Sequence, residues 1–329
     1  MRIRVLAILV LVALSALAVP EIMLGSPNLE QARFAYEKGD YPAAIDLLNS
    51  AAAREPRNGA VFLLLAKTYF QMRDRDRAVA NAEKAVALDP GNSVYHEWLG
   101  RAYGEKASHA FWFSALSLAK KSRKEFETAV QLDNRNFSAM QALVEYDCSA
   151  PGIAGGGEDK AQAEIAQIAS MDAAEGHYAL GNCRRQKKDF ATADAEFTKA
   201  LESNPKSADL IYDIGDYAMK RSQPERLLAV AEAGEKVAPA DPRGGFYGAL
   251  AHILKQEELD AALSMLNDYL KNAPVRDNYP SRSSAHYWLG RAFEAQNQLD
   301  AARREYQAAA NLDSDNKAAK EALKRLPAP

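Results

Sequence analysis

The apolar positions of this chain recur in short amphipathic segments that end at regularly spaced prolines. Pro56 and Pro90 lie 34 residues apart, as do Pro205 and Pro239, and Pro274 follows 35 residues later. Each proline closes an alanine-rich segment whose spacing predicts a helix. A fixed period of this length indicates a repeat array, in which each unit is one supersecondary element that cannot bury its apolar face alone.

Small and large residues recur at fixed places within each unit and predict that the helices pack in pairs. In the best-fitting unit, Leu180-Gly181 lies in the first helix and Phe197 in the second. Small residues let two helices approach closely, while large neighbours fill the gaps between them. Equivalent positions predict about eight helix pairs over residues 28–315. An amphipathic segment over residues 316–326 predicts a helix that caps the array.

One unit contains Leu180-Gly181, Ala193, Phe197 and Pro205 at the spacing of the tetratricopeptide repeat, a 34-residue helix–turn–helix unit. The chain resembles this family over nearly all of its length after residue 18. The resemblance implies an all-α right-handed solenoid whose first helices face a concave groove. It also implies a non-catalytic scaffold or adaptor that holds another protein in that groove.

Two units are longer than the period. The third carries about ten additional residues between its helices, at about residues 105–121, and the fourth contains a Gly-rich loop over residues 150–158. The loop superficially suggests phosphate binding, but Glu158 and Asp159 at the following helix start would repel an anion. We therefore interpret the loop as a flexible connection.

The insertion of the third unit is rich in aromatic residues. Phe111, Trp112, Phe113 and Leu116 precede a basic run at residues 120–124. Neighbouring side chains diverge by about 100° around a helix, so at least one of the three aromatic rings should lie on a surface. The alternatives are a lengthened helix pair packed on its neighbours, a docking patch for a protein partner, or an interfacial membrane contact with basic flanks.

The resemblance assigns a set of residues to the concave groove. The assigned residues are Tyr178, Tyr212, Tyr247, Tyr287, Arg101 and Arg291. The four tyrosines share one position of the last four units and would offer rings and hydroxyl groups to an extended ligand. Tyrosine is also common at this position in the family, so a packing role is the alternative. The scattered charges do not reproduce the Lys, Asn and Arg clamp with which the family binds a terminal carboxylate.

Candidate catalytic and metal-binding residues are few. His96, His177 and His286 occupy the same place in three different units, which favours packing and separates them too far to share a metal ion. No nucleophile or nucleotide-binding motif occurs. We therefore expect no enzymatic activity, no cofactor and no metal site.

Cys148 and Cys183 are too few for a disulfide framework. Export would permit one bridge between them. We favour two separately buried thiols.

The N-terminus predicts export. A basic start, an unbroken apolar run over residues 5–14 and the small-x-small triplet Ala16-Leu17-Ala18 are typical of a signal peptide over residues 1–18. The apolar run is shorter than the about 20 residues of a membrane-spanning helix. We expect cleavage before a short linker at residues 19–27 and a periplasmic location; the alternative is an uncleaved N-terminal segment that tethers the chain to the inner membrane.

The charge of the chain restricts the class of partner. Without residues 1–18, 39 Lys and Arg face 44 Asp and Glu, a net charge of −5, which does not fit a nucleic-acid-binding surface. We expect a protein partner, which the sequence does not identify, and a scaffold role in the cell envelope. The alternative is an envelope-assembly factor that grips a polysaccharide, lipid-linked polymer or membrane surface through the tyrosines and the aromatic insertion.

Overall fold

The computed structural model describes residues 27–327, which form 17 α-helices and one short 3₁₀ turn at Gly152–Ala154. The predicted signal peptide and residues 19–26 of the linker lie outside the described residues. The helices are α1 (Pro27–Glu37), α2 (Tyr41–Arg54), α3 (Gly59–Gln71), α4 (Arg75–Leu88), α5 (Ser93–Ala107), α6 (Trp112–Leu132), α7 (Phe137–Ser149), α8 (Glu158–Met171), α9 (Ala173–Gln186), α10 (Phe190–Glu202), α11 (Ala208–Lys220), α12 (Pro224–Val237), α13 (Arg243–Lys255), α14 (Leu259–Asn272), α15 (Arg282–Ala295), α16 (Leu299–Leu312) and α17 (Lys317–Arg325).

Helices α1–α16 form eight consecutive pairs, and α17 packs against α16. Odd-numbered helices also contact the next odd-numbered helix, as α3 contacts α5 and α7 contacts α9. The buried apolar residues form successive clusters along the chain, as expected when each unit packs only on its neighbours. The predicted all-α solenoid of helix pairs is confirmed.

The turn inside several pairs has a common chemical basis. The second helix begins after an aspartate whose side chain accepts a hydrogen bond from a backbone N–H of the first turn, and the residue before that aspartate has positive φ. The positive φ reverses the chain, and the aspartate satisfies a donor that the helix start leaves unpaired. The aspartates are Asp40, Asp74 and Asp189.

Glycines of the first helices allow the partner helix to approach. A Cβ on Gly100 would lie 2.7 Å from the ring of Phe126, and a Cβ on Gly181 would lie 2.7 Å from the ring of Phe197. Any side chain at these positions would overpack the seam between the helices. The small residues of the repeat pattern therefore have the packing role predicted for them.

Cys148 on α7 and Cys183 on α9 form a disulfide, with their Cα atoms 5.6 Å apart. The expectation of two separate thiols was therefore wrong. The two cysteines are 35 residues apart, close to one repeat period, so they occupy similar places on first helices that touch each other. Repeat geometry brings them together, which a count of cysteines cannot show.

The insertion of the third unit lengthens one helix. α6 has 21 residues against 15 in its partner α5, and its first turns carry the aromatic residues. Phe111, Trp112 and Phe113 are 93%, 65% and 74% exposed, whereas Leu116 is half-buried. The expectation that at least one ring lies on a surface is confirmed, and packing on neighbouring units does not account for these three rings.

Candidate functional site

The odd-numbered helices line one continuous cavity of about 830 Å³ on the concave side of the array. Every helical residue of its lining lies on α1, α3, α5, α7, α9, α11 or α13. This arrangement follows from the stacking, because the first helix of each pair contacts the first helix of the next, in two cases through side-chain hydrogen bonds. The principal polar and aromatic lining residues are Tyr36, Lys67, Glu97, Trp98, Arg101, Glu145, Glu175, Tyr178, Asn182, Asp213, Asp216, Arg243 and Arg276.

A segment between α14 and α15, which we term the strap (residues 273–281), crosses to the beginning of the array. The Tyr41 hydroxyl donates to the Val275 carbonyl oxygen at 3.0 Å, although the two residues are 234 positions apart. The backbone N–H of Asp277 donates to Gln71 at 3.2 Å, and Arg73 forms an ion pair with Asp277 at 2.9 Å. The strap therefore joins the seventh pair to the first two pairs and closes the concave side into a ring.

The far side of the strap is held by Arg243, a buried arginine of α13. Its guanidinium stacks 4.3 Å from the centre of the Tyr212 ring and 4.4 Å from that of Tyr279. It also donates to the Asn278 carbonyl oxygen at 3.1 Å and forms an ion pair with Asp241 at 2.7 Å. Charge pairing and ring stacking therefore fix the strap against the beginning of α13.

One end of the cavity combines cations with aromatic rings. The Lys67 ammonium lies 4.6 Å from the centre of the Trp98 ring, and the Arg276 guanidinium lies 5.3 Å from that of Tyr36. Burial lowers the pKa of Lys67; the nearby Glu97 carboxylate opposes this shift, and the neighbouring Arg101 adds to it. Neither Lys67 nor Arg276 has a carboxylate within ion-pair distance among residues 27–327. This end can therefore stabilise an incoming anionic group.

Further along the array, α7, α9 and α11 add carboxylates to the cavity wall. Burial raises the pKa of Glu145, Glu175 and Asp216, which indicates that the protein compensates their charges incompletely. Asp216 accepts a hydrogen bond from Tyr247 at 2.6 Å, whereas the Glu145 carboxylate has no hydrogen bond or ion pair in the described part of the chain. The side chain of Glu145 is accessible to water, but it lies inside the cavity, where neighbouring helices surround it. This wall can accept a cationic group.

The four predicted groove tyrosines do not form an accessible ladder. Tyr212 and Tyr247 are only 2% and 1% exposed, and their rings stack 5.8 Å apart. Tyr178 lines the cavity and donates to Asp213 at 3.2 Å, and Tyr287 is half-buried outside the cavity lining. The burial of Tyr212 and Tyr247 favours the packing alternative for those two residues, so an accessible ladder of four rings is not present.

The burial of the middle tyrosines has a packing cause. The second helix of the sixth unit carries Ala231 and Gly234, so it leaves space that aromatic rings fill in other units. Tyr212 packs against Gly234, and Tyr247 packs against Gly215 of the preceding first helix. These two rings therefore replace an absent core aromatic residue.

The predicted arginines separate in the structure. Arg101 lines the cavity, where it donates to Glu97 at 2.9 Å and to Ser138 at 2.7 Å. Arg291 lies outside the lining and stacks 5.2 Å from the centre of the Trp288 ring. The structure thus brings Arg101, Tyr178 and an edge of Tyr212 to one site.

The three histidines take part in a recurrent polar pair rather than in packing alone. His96, His177 and His286 bond through Nδ1 to a glutamate of the second helix in the same unit. The residues of each pair are 19 positions apart in two units and 29 apart in the third unit, a difference that equals the insertion of ten residues. Between residues 27 and 327, no cluster of three or more His, Cys, Asp and Glu could hold a metal ion.

The arrangement supplies binding chemistry: separated charges of both signs, aromatic faces and amide groups on a concave surface. None of the helices in residues 27–327 is long and apolar enough to span a membrane.

Comparison with known proteins adds three kinds of finding. Sequence models described as tetratricopeptide repeat match residues 35–102, 174–207 and 252–319. The chain is 25% identical over 255 residues to Hsp70-Hsp90 organizing protein 1 of Glycine max, covering 74% of this chain and 41% of that protein. It is 24% identical over 326 residues to anaphase-promoting complex subunit 7 of Arabidopsis thaliana, covering 87% and 53%. The chain thus spans about half the length of these relatives.

Among solved structures, a thermophilic tetratricopeptide repeat protein of Thermus thermophilus aligns with a TM-score of 0.46 at 23% identity, over 56% of this chain and 93% of that one. The matched segments lie near the beginning, middle and end of the array of helix pairs. By its sequence matches and its helix pairs, the chain belongs to the tetratricopeptide repeat family.

Proposed function

We propose that this protein is a non-catalytic scaffold of the cell envelope that holds an extended segment of a protein partner in its concave cavity. The observation that carries the proposal is the presence of charges of both signs inside that cavity, with Lys67 and Arg276 beside α3 and the strap and Glu145 further along the array on α7. The family and its relatives support interaction with proteins as the general role.

The chemistry of the cavity specifies the kind of segment that fits. An acidic side chain would neutralise Lys67 and Arg276, and an aromatic or proline ring would stack on Trp98. A lysine or arginine further along the segment would pair with Glu145 and Glu175. Both contacts relieve charges that the folded protein leaves partly desolvated, so a segment of mixed charge binds in one direction.

The alternative role as a polymer-gripping assembly factor receives less support. It depended on a row of aromatic faces along the groove together with the aromatic insertion; the insertion is exposed, but Tyr212 and Tyr247 in the groove are buried. Within the cavity, the half-buried aromatic residues Trp98, Phe137 and Tyr178 remain for stacking, and they do not form a row at one position of successive units.

Site-specific photo-crosslinking tests the scaffold role. A photoreactive residue at Ala142, in the cavity, should crosslink to a discrete protein partner in cells, whereas the same residue at Glu232, on an even-numbered helix, should not. With the partner purified, Glu145→Lys should weaken binding at least tenfold and Glu232→Lys should not. Equal crosslinking from both positions, or unchanged affinity of Glu145→Lys, would contradict the proposal.

The envelope setting has its own test. Mass spectrometry of the protein purified from a periplasmic fraction should find an N-terminus within a few residues of Val19. Recovery of the intact N-terminus in the inner membrane would support tethering, and recovery of the intact chain in the cytoplasm would contradict export.

A further inference from the structure

The pair α5–α6 projects an apolar tip that no other part of the described chain covers. Phe111 is the N-cap residue of α6, and Trp112 and Phe113 are its first two residues. The ring centres of Trp112 and Phe113 are 4.2 Å apart. The exposed fractions given above leave most of each ring in water. A contiguous aromatic tip of this kind is unlike isolated exposed apolar residues such as Phe34 or Phe190.

The outward face of α6 carries positive charge beside this tip. Residues spaced by three or four positions share a helix face, so Phe113, Ser117, Lys120 and Lys124 form one stripe. Lys120 and Lys124 are exposed and have no carboxylate within ion-pair distance among the described residues. They follow Phe113 along the helix axis by about 10 and 16 Å.

Neighbouring charges leave this stripe positive. Arg123 is turned inward, where it pairs with buried Asp147 at 2.9 Å, and Lys121 lies 5.3 Å from the centre of the Tyr103 ring. Glu105, at the end of α5, is paired with Arg75 at 3.2 Å. The charges of Arg123, Lys121 and Glu105 thus have partners inside the protein, whereas the charges of Lys120 and Lys124 are available to an external partner.

We propose that this tip binds the surface of an anionic lipid bilayer, with the aromatic rings at the level of the headgroups and the lysine stripe against their phosphates. A phenylalanine followed by lysines on one helix face, with further aromatic rings at the same helix end, is the chemistry of interfacial membrane binding. The size of the patch supports the same occupant, because three rings and two lysines cover less area than a stable interface between globular proteins needs.

This contact is independent of the concave cavity, which α6 does not line. It would orient the scaffold relative to the membrane while leaving the cavity free for the partner segment.

The test uses the full chain with an environment-sensitive fluorophore on Ser114→Cys at the tip, and the same fluorophore on Ser314→Cys at the far end of the array as the matched control. Both serines are exposed. A position-specific probe is chosen because an uncleaved N-terminal segment could hold the whole chain on vesicles without any contact at the tip.

With vesicles of phosphatidylcholine containing phosphatidylglycerol, the probe at position 114 should shift to the blue, and the probe at position 314 should not. Replacing Phe111, Trp112 and Phe113 together by alanine should reduce the apparent affinity read at position 114 at least tenfold. Phe34→Ala removes a ring that is 63% exposed elsewhere and should leave that affinity unchanged. Lys120→Glu with Lys124→Glu should remove the dependence on phosphatidylglycerol.

The proposal is overturned if the probe at position 114 remains water-exposed on anionic vesicles. It is equally overturned if the triple alanine variant binds like the wild type. If the triple variant instead loses self-association or binding to a purified protein, with no response to lipid in either chain, the tip is a protein-docking surface and the lipid proposal is wrong.

Discussion

The disulfide between Cys148 and Cys183 should contribute much of the stability of the fourth and fifth units. Cys183 is fully buried, and the bridge ties α7 to α9 across the Gly-rich loop and α8. We consider a variant in which both cysteines are replaced by alanine, which removes the bridge without leaving a thiol or a buried hydroxyl group. The matched reference is the wild-type chain under reducing conditions.

The expected magnitude follows from the length of chain that the bridge closes. The two cysteines are separated by 35 residues. In the chain-entropy treatment, a loop of this length lowers the entropy of the unfolded chain enough to stabilise the fold by about 4 kcal/mol. Because units of a solenoid couple mainly to their neighbours, the loss should concentrate in helices α7–α10.

Urea unfolding followed by circular dichroism gives the total effect, and hydrogen exchange gives its location. Oxidised wild type should unfold at higher urea than reduced wild type and the double alanine variant, and the last two should agree within about 1 kcal/mol. Reductant should not change the double variant. Faster exchange should appear between residues 137 and 202 and remain small in α1–α4.

An oxidised protein no more stable than its reduced form would refute this reasoning. So would a uniform increase in exchange over all units, since that outcome means that the array unfolds as one cooperative block. Free thiols in protein recovered directly from the cell would contradict both the bridge and the oxidising compartment in which such bridges persist.

Three further results are expected. Gly181→Ala should destabilise the fold by about 1–3 kcal/mol, because its Cβ meets the buried ring of Phe197. Gly245→Ala, where a Cβ meets nothing within 4 Å, should be neutral or stabilising by up to about 1 kcal/mol in the same urea assay. Equal effects of the two substitutions would contradict the close approach of α9 and α10. Burial and the neighbouring Asp147 carboxylate raise the pKa of Glu164 in the folded protein. The contribution of this group to stability is therefore fully present below the ordinary glutamate pKa of about 4.3 and is lost as the pH rises, so the free energy of unfolding of Glu164→Gln should increase relative to that of wild type from pH 5 to 8. A difference between the two proteins that stays constant with pH would refute the raised pKa. In Gly39→Ala, the new side chain would sit at a φ of +77° and its Cβ would collide with the Val275 carbonyl oxygen of the strap. Limited proteolysis should therefore cut the strap faster in this variant than in wild type. An unchanged rate of cleavage would mean that the strap does not depend on this contact.

The sequence predicts the repeat architecture because the requirement for it is local. Leu180-Gly181 and Phe197 specify a close helix pair within 18 residues, and each unit repeats the same constraint. The pairing of histidine with glutamate at a separation of 19, and of 29 in the unit with the insertion, was an additional local signal. It locates the ten added residues independently of the proline spacing.

Contacts between units were harder to infer, although two left a trace in the spacing. A separation of 35 residues places Cys148 and Cys183 at matching positions of touching helices. Ile214 follows Pro205 by nine positions, whereas Leu289 follows Pro274 by fifteen, and the six added residues form most of the strap. Spacing reveals the extra length, but the contact with Tyr41 depends on the curvature of the whole array, which no local pattern encodes.

The burial of Tyr212 and Tyr247 was not predicted from the sequence for a different reason. The position of Tyr212 and Tyr247 is typical of a groove residue, and the deciding feature is what their neighbours lack. Ala231 and Gly234 leave a volume that the two rings occupy. A residue at a groove position can therefore be assigned to a binding site only after checking that the core of its unit does not need that side chain.

The strap gives the array a topological property that an open solenoid lacks. In an open array, a bound segment leaves sideways as soon as its contacts break, so its lifetime depends on those contacts alone. With residues 273–281 fastened to Gln71 and Arg73, a segment in the cavity is encircled, and it can escape only by sliding out along its own length or after the strap detaches. A chain with bulky domains on both sides would then remain associated even with weak affinity, and its exchange rate would report the opening of the strap.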